Sequence, residues 1–118
     1  AKERIRNANG DATVRSIVFD ISRRNVWPAP FTGRCLRNQH LDTWYGREVE
    51  LLRNLDPESA KYAVAQKEAN FDIAAVIAGE SAGLVHEILP ARDVVEKMVR
   101  DAATLLKHGA PRVDVVEA

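Results

Sequence analysis

The most reactive-looking group in this 118-residue sequence is a lone cysteine among arginines. Arg34 and Arg37 stand close to Cys35, and neighbouring cations lower the pKa of a thiol and so favour the nucleophilic thiolate. No histidine is visibly paired with it, however, and a buried structural cysteine is the commoner arrangement. One cysteine also excludes an internal disulfide and a metal site built from several thiolates. The sequence therefore favours a structural Cys35.

The histidines and the acidic side chains form no catalytic or metal-binding pattern. His40, His86 and His108 are spread along the chain without the spacing that places two ligands on one helix face. The acidic pair Asp42 and Glu48 suits a helix surface better than acid–base chemistry, because nothing positions a substrate between them. We therefore expect no catalytic residue and no metal site in this chain.

Composition limits the classes of binding partner and the cellular compartment that we expect for this chain. Seventeen basic residues balance seventeen acidic ones, so no net field attracts nucleic acid or an anionic membrane. The longest apolar run, residues 73–78, is far shorter than the roughly 20 residues that cross a bilayer. The N-terminal stretch has no apolar core of a secretory signal, and a single cysteine suits a reducing compartment. We expect a cytoplasmic protein with neither nucleic-acid nor membrane partners.

The first half of the sequence contains one predicted strand, one aromatic loop and one predicted helix. Residues 1–10 have the composition of the last turns of a helix, which Asn9-Gly10 ends. The side-chain types of residues 13–22 alternate with the two-residue period of a β-strand. Residues 25–33 form a loop with two prolines, and we expect Trp27 and Phe31 in it to lie against another surface. Asp42 or Thr43 is then predicted to cap a helix that runs to about residue 55.

Two further helices are predicted in the second half. Asp56-Pro57-Glu58 is a helix start, and the sparse apolar residues from 59 to 69 predict a surface helix. The best-patterned helix begins at Pro90, carries apolar residues at helical spacing and ends before Gly109. The tail, residues 111–118, is expected to fray. The resulting prediction is a mainly helical α+β fold in one unit, residues 1–118.

Residues 72–90 combine an apolar run with two glycines that flank an acid. Residues 73–78 are typical of a buried segment, and Gly79 and Gly83 on either side of Glu80 predict a sharp turn. Glycines permit close approach of the backbone to a ligand, so Gly79 and Glu80 are candidates for lining a pocket. Tight packing is the alternative, and it explains the glycines at least as well.

Several separated stretches, in order, resemble the C-terminal region of bacterial nitronate monooxygenases, formerly 2-nitropropane dioxygenases. They are residues 11–21, Trp27-Pro28, residues 33–38, residues 44–48 and the block 78–90 with the helix that follows. The resemblance runs from residue 1 to about residue 107. In the relatives, a glutamine often stands where this chain has Glu80.

The resemblance implies an FMN-dependent (β/α)8 barrel enzyme that oxidises alkyl nitronates with molecular oxygen. It makes this chain the extension that follows the barrel, with residues 1–10 ending a barrel-packing helix, residues 11–110 forming the extension and the barrel strands absent. The loops that hold the FMN phosphate and the catalytic histidine precede the matched region. The resemblance thus implies a partner in the barrel portion, activity only together with it, and Gly79, Glu80 and Trp27 as pocket residues.

Two other functions remain open on the sequence. The chain could be a free-standing helical module that docks onto a partner through the Pro90 helix and the Trp27 loop. It could also be the ending of a related flavin enzyme, such as an enoyl reductase. A helical composition at the start without an initiator methionine favours a processed product or a piece of a longer protein. The substrate and the oligomeric state are not encoded in any motif.

Overall fold

A computed structural model describes residues 1–25 and 27–109 of the chain. It is mainly helical with one small antiparallel sheet, which confirms the predicted mainly helical α+β class. The chain divides into two compact units, residues 1–87 and a second that begins at Ile88. The predicted tail, residues 111–118, lies outside the described residues.

The first unit contains five α-helices, two strands and two 3-10 turns. In chain order these are α1 (Lys2–Arg6), a 3-10 turn (Gly10–Ala12), β1 (Thr13–Arg15), α2 (Val18–Ser22), β2 (Arg34–Leu36), α3 (Gln39–Trp44), α4 (Glu48–Arg53), α5 (Leu55–Lys67) and a second 3-10 turn (Glu80–Leu84). β1 and β2 are antiparallel, with Val14 opposite Cys35. A single bridge adds Ile77 opposite Cys35 on the other side of β2.

The core of this unit lies where α2 meets α3, α4 and α5. It contains Val18, Phe19, Ile21, Cys35, Leu41, Trp44, Leu51 and Tyr62. The burial of these apolar side chains supplies the main driving force for folding the unit. Of the apolar run 73–78, Ala74 and Val76 are buried, whereas Ile77 is exposed.

The predicted strand over residues 13–22 is wrong beyond Arg15. The chain turns at Ser16, whose hydroxyl accepts the Val18 N–H, and continues as α2. All five residues of α2 are buried, polar ones included, so no face of it is solvated. The apparent alternation arose because Asp20 and Ser22 are polar, yet both have hydrogen-bond partners inside the fold.

The single helix predicted from residue 42 to residue 55 is two helices. Asn38, rather than Asp42 or Thr43, caps α3 by accepting the Leu41 N–H. The break follows from Gly46, which has a φ of +77°, a backbone conformation that side-chain-bearing residues rarely adopt. The next predicted helix is confirmed as α5, of which only Tyr62 and Ala65 are buried.

The second unit contains α6 (Ala91–His108), which confirms the helix predicted from Pro90. Asp93 lies in its first turn, and Lys107 and His108 lie in its last turn, so each charge opposes the helix dipole. None of its residues is buried. Within the described residues, no helix is both long and apolar enough to cross a membrane.

Candidate functional site

An open apolar cleft of about 600 Å³ lies beside the loop that joins α2 to β2. Its walls include Trp27, Pro28, Phe31 and Ile77, and Arg23 lies at its edge. Trp27 is 54% exposed, and Phe31 and Ile77 are each 63% exposed. The described residues leave more than half of each aromatic side chain exposed, so the expectation that this loop lies against another surface stays a prediction.

The buried carboxylate of Asp20 holds both ends of this loop. One of its oxygens accepts the Gly33 N–H at 3.1 Å, and the other binds the Arg23 guanidinium at 2.6 Å. The backbone carbonyl of Asp20 accepts the Asn25 N–H at 2.9 Å. Because Asp20 is 1% exposed, its carboxylate needs these partners to offset the cost of leaving water. Asp20 thereby positions the aromatic wall of the cleft.

Gly79 and Glu80 lie near the cleft but do not line it. Glu80 pairs with Arg34 across 3.0 Å, and its side chain is 72% exposed. A methyl group added at Gly79 would meet only the Ser81 hydroxyl, at 3.7 Å, so nothing in this chain requires a glycine there. The cleft and this turn are nevertheless close in the chain, because Ile77, two residues before Gly79, lines the cleft. The next residue, Ala78, donates its backbone N–H to the Arg34 carbonyl of β2.

Tight packing explains Gly83, the second of the two glycines that flank Glu80. A methyl group at Gly83 would lie 2.9 Å from the Gly10 nitrogen, and one at Gly10 would lie 2.8 Å from the Glu80 carbonyl oxygen. Both distances are too short for a real side chain, so the two 3-10 turns pack backbone against backbone. Gly10 therefore serves close approach, and not the positive φ expected of an Asn9-Gly10 helix end.

Cys35 is buried in β2, as expected of a structural cysteine. Burial raises the pKa of its thiol to about 11 and outweighs the opposing charge of Arg23. Arg34 points instead to Thr13 and Glu80, and Arg37 pairs with Asp42. The thiolate that the flanking arginines suggested is therefore disfavoured.

A buried polar network between α2, α3 and α5 was not foreseen. The Ser22 hydroxyl lies 2.8 Å from Nε2 of His40, and Nδ1 of His40 lies 4.0 Å from a carboxylate oxygen of Glu58. The same Glu58 oxygen accepts the indole N–H of Trp44 at 3.2 Å. No spacing rule connects residues so far apart in sequence, so only the fold reveals the network. Burial lowers the pKa of His40 despite the nearby Glu58 carboxylate.

Of the three histidines, only His40 belongs to a network, and His86 and His108 are exposed. In the described part of the chain, no group of three or more histidine, cysteine or acidic side chains could hold a metal ion. Comparison with protein-family models, with curated proteins and with solved structures finds no match to this chain.

The residues around Gly79 do not make an FMN site by themselves. The nearest charged group is the Glu80 carboxylate, which would repel a flavin phosphate, and its partner Arg34 is already engaged. The turn is a 3-10 helix of five residues, too short to offer a helix-dipole phosphate site. The place of Gly79 and Glu80 at a pocket therefore stays a prediction, and no step of flavin chemistry is assigned to them.

Proposed function

We propose that this chain is the C-terminal portion of an FMN-dependent oxidoreductase of the nitronate monooxygenase type, inactive without the barrel portion. In this proposal the barrel binds FMN and carries out the oxidation of an alkyl nitronate by molecular oxygen. The extension covers the barrel with its apolar surfaces and contributes Trp27, Gly79 and Glu80 to the edge of the pocket. The proposal rests on the collinear sequence resemblance and on the exposed apolar surfaces.

The observation that supports it best is the uncovered apolar side of α6. Val95, Met98, Val99, Leu105 and Leu106 are each between 60% and 84% exposed. Residues at this spacing lie along one side of a helix, and such a continuous apolar stripe is typical of an interface. An isolated 18-residue helix is also marginal in water without tertiary packing. A barrel scaffold in the same polypeptide would supply that packing.

The Trp27 loop and Gly79 support the same proposal from the first unit. Trp27 and Phe31 project into an open cleft although their burial would be worth several kcal/mol, at about 25 cal/mol per Å². A methyl group at Gly79 would make only an ordinary contact with the Ser81 hydroxyl, at 3.7 Å, so the described residues leave room for a side chain there. Both features are expected of a surface that another part of a larger enzyme approaches closely.

The decisive experiment compares the chain alone with the chain produced together with a barrel portion encoded upstream in its reading frame. The chain alone should purify colourless and should not consume oxygen when given propane-2-nitronate. The joined protein should contain flavin, seen by its absorbance, and should consume oxygen with that nitronate. A reading frame without any barrel sequence, or FMN bound stoichiometrically by the 118 residues alone, would overturn the proposal.

A pair of variants tests the role of α6 in the joined protein. Val95→Glu places a charge on the apolar side, whereas Thr104→Glu, nine residues or two and a half turns later, places the same charge on the opposite side. We expect V95E to lower the yield of flavin-loaded protein and its midpoint of thermal unfolding, and T104E to leave both unchanged. Equal effects of the two variants would show that α6 does not pack through this side.

The same exposed side of α6 also suits the alternative of a free-standing interaction module. A module would be folded and monomeric without any barrel sequence and would use the stripe to hold a separate protein. The reading frame distinguishes the two functions. An enoyl reductase in place of a nitronate monooxygenase would be recognised by NAD(P)H oxidation with an enoyl thioester and none with nitronate.

A further inference from the structure

The buried network of Ser22, His40 and Glu58 has the composition of a hydrolytic triad but not its accessibility. Ser22 is 2% exposed, and its hydroxyl donates to the Val18 carbonyl at 3.0 Å. A nucleophile must reach its substrate, and Ser22 cannot reach one without opening the core. The arrangement therefore calls for another role.

The hydrogen bonds of Ser22 lead to an assignment of the neutral His40 tautomer. A hydroxyl has one hydrogen, and Ser22 donates it to the Val18 carbonyl, so we assign Nε2 of His40 as the donor to the Ser22 oxygen. A neutral imidazole has one N–H, which leaves Nδ1 with a bare lone pair. That lone pair faces a Glu58 oxygen at 4.0 Å, and two electron-rich atoms do not attract each other.

Protonation reverses this last contact. The added proton can only go to Nδ1, which then becomes a cationic donor facing the Glu58 carboxylate. The carboxylate oxygen it faces is the one that holds the indole N–H of Trp44 at 3.2 Å. His40 and Trp44 lie one helical turn apart on α3, so the same oxygen can pass from one to the other with a small movement.

A cavity gives the proton a route to the ring. A space of about 290 Å³ lies next to His40 and is lined also by Thr43, Trp44, Glu58 and Lys61. Its lining is mixed, with polar groups from Thr43, Glu58 and Lys61, and it is large enough for water, which carries protons to buried groups. His40 itself is only 3% exposed.

The other groups around His40 are few. On α5, besides Glu58, Lys61 lies 3.9 Å from the Glu58 carboxylate, and the Tyr62 ring lies 5.9 Å from the imidazole. α2 presents uncharged groups, Ser22 and the Phe19 ring at 6.0 Å.

The segment after α5 also contacts His40, through a backbone group. The backbone N–H of His40 donates to the Asp72 backbone carbonyl, while the Asp72 carboxylate binds Arg4. Glu58 is thus the one carboxylate that the structure places opposite the imidazole among the described residues.

We propose that His40, Glu58 and Trp44 form a proton-controlled switch in which protonation of His40 draws the Glu58 carboxylate away from the Trp44 indole. The Glu58 carboxylate of α5 then pairs with His40, which lies one helical turn before Trp44 on α3. The switch goes beyond the proposed enzymatic function and does not depend on it. Burial lowers the pKa of His40 and the Glu58 carboxylate opposes this, so the switch operates below the ordinary histidine range.

Nuclear magnetic resonance on the ¹⁵N-labelled chain tests the switch directly. Trp27→Phe leaves Trp44 as the only indole, because the chain has two tryptophans. As the pH is lowered, we expect the Trp44 indole N–H resonance to move upfield, as a proton does when it loses its acceptor. Its midpoint should coincide with the midpoint seen for the ring protons of His40.

Two variants separate the switch from general effects of acid. Glu58→Gln should abolish the movement of the Trp44 resonance and lower the titration midpoint of His40, since the carboxylate that favours the cation is gone. Glu68→Gln, at the exposed end of α5, is the matched control and should leave both unchanged. The proposal is wrong if the Trp44 resonance stays fixed while His40 titrates, moves unchanged in His40→Gln, or vanishes through global unfolding before His40 titrates.

Discussion

At the scale of single residues, Asp20 is a buried charge with partners on both sides of the loop between α2 and β2. Its buried carboxylate joins α2 to Arg23 and to the loop before β2. Asp20→Asn removes the charge while keeping the shape, and it leaves the half-buried Arg23 without a counter-ion. We expect a loss of about 2–4 kcal/mol in the free energy of unfolding, measured by urea denaturation.

The matched control for this variant is the exposed pair of Arg24 and Asp56. Both side chains are largely in water, so Asp56→Asn should change the free energy of unfolding by less than about 1 kcal/mol. If D20N proved as mild as D56N, the Asp20 carboxylate would not be holding the loop.

Cys35 gives a second prediction at this scale. Its pKa of about 11, against an ordinary value of 9.0, reduces the thiolate fraction at neutral pH by about 100-fold. Burial further blocks approach of a reagent. We expect the thiol to react with a disulfide reagent at least about 100-fold more slowly in the native chain than in urea. A native rate close to that of the unfolded chain would contradict the buried position in β2.

At the scale of elements, the sequence was most informative where several independent signals agreed. α6 has an apolar stripe, charges that oppose the helix dipole, and Pro90 and Gly109 at its ends, and all of these signals agree. α2 was predicted as a strand because its burial on every side erases the helical period. The break at Gly46 depends on a positive φ that glycine permits but does not require.

Trp27, a pocket residue on the resemblance, lines the cleft beside the loop that joins α2 to β2, and its role in a substrate pocket stays a prediction. Its positioning by Asp20 and the network around His40 depend on contacts between distant segments, which periodicity does not report. For the same reason the sequence could not distinguish Gly83, which packs tightly against Gly10, from Gly79, where a methyl group would make only an ordinary contact.

The contrast between these glycines is itself testable at the element scale. Gly10→Ala forces a methyl group to 2.8 Å from the Glu80 carbonyl and should push the two 3-10 turns apart. We expect a loss of about 1–3 kcal/mol in the free energy of unfolding, as for other overpacked sites. Gly79 has an ordinary φ of −85°, and a methyl group there would make only an ordinary contact with Ser81, so Gly79→Ala should be close to neutral. Comparable losses would mean that the 3-10 turns do not pack as described.

At the scale of the whole molecule, the apolar surface is distributed unusually. The first unit has a core of its own and leaves an apolar cleft open, while α6 exposes an apolar stripe. A protein with this distribution should associate through these surfaces unless another chain or segment covers them. That expectation underlies the barrel-dependent function proposed above and the V95E experiment that tests it.

The pH dependence of stability follows from the buried histidine. His40 has a lowered pKa in the folded chain and an ordinary value near 6.5 when unfolded. The unfolded chain therefore binds more protons than the folded chain below pH 6.5, and the free energy of unfolding must fall there. Well above pH 6.5 both states hold His40 neutral, so its contribution is fully present and constant there.

Urea denaturation at a series of pH values between 7.5 and 5 measures this effect. His40→Gln keeps a donor for Ser22 but cannot titrate, so its free energy of unfolding should fall less steeply with acid than that of the unaltered chain. His86→Gln, at an exposed position, is the matched control and should retain the steeper fall. If the free energy of unfolding fell with acid equally steeply in H40Q and in the unaltered chain, the core would not exclude the charged imidazole. Burial would then not be what keeps His40 neutral.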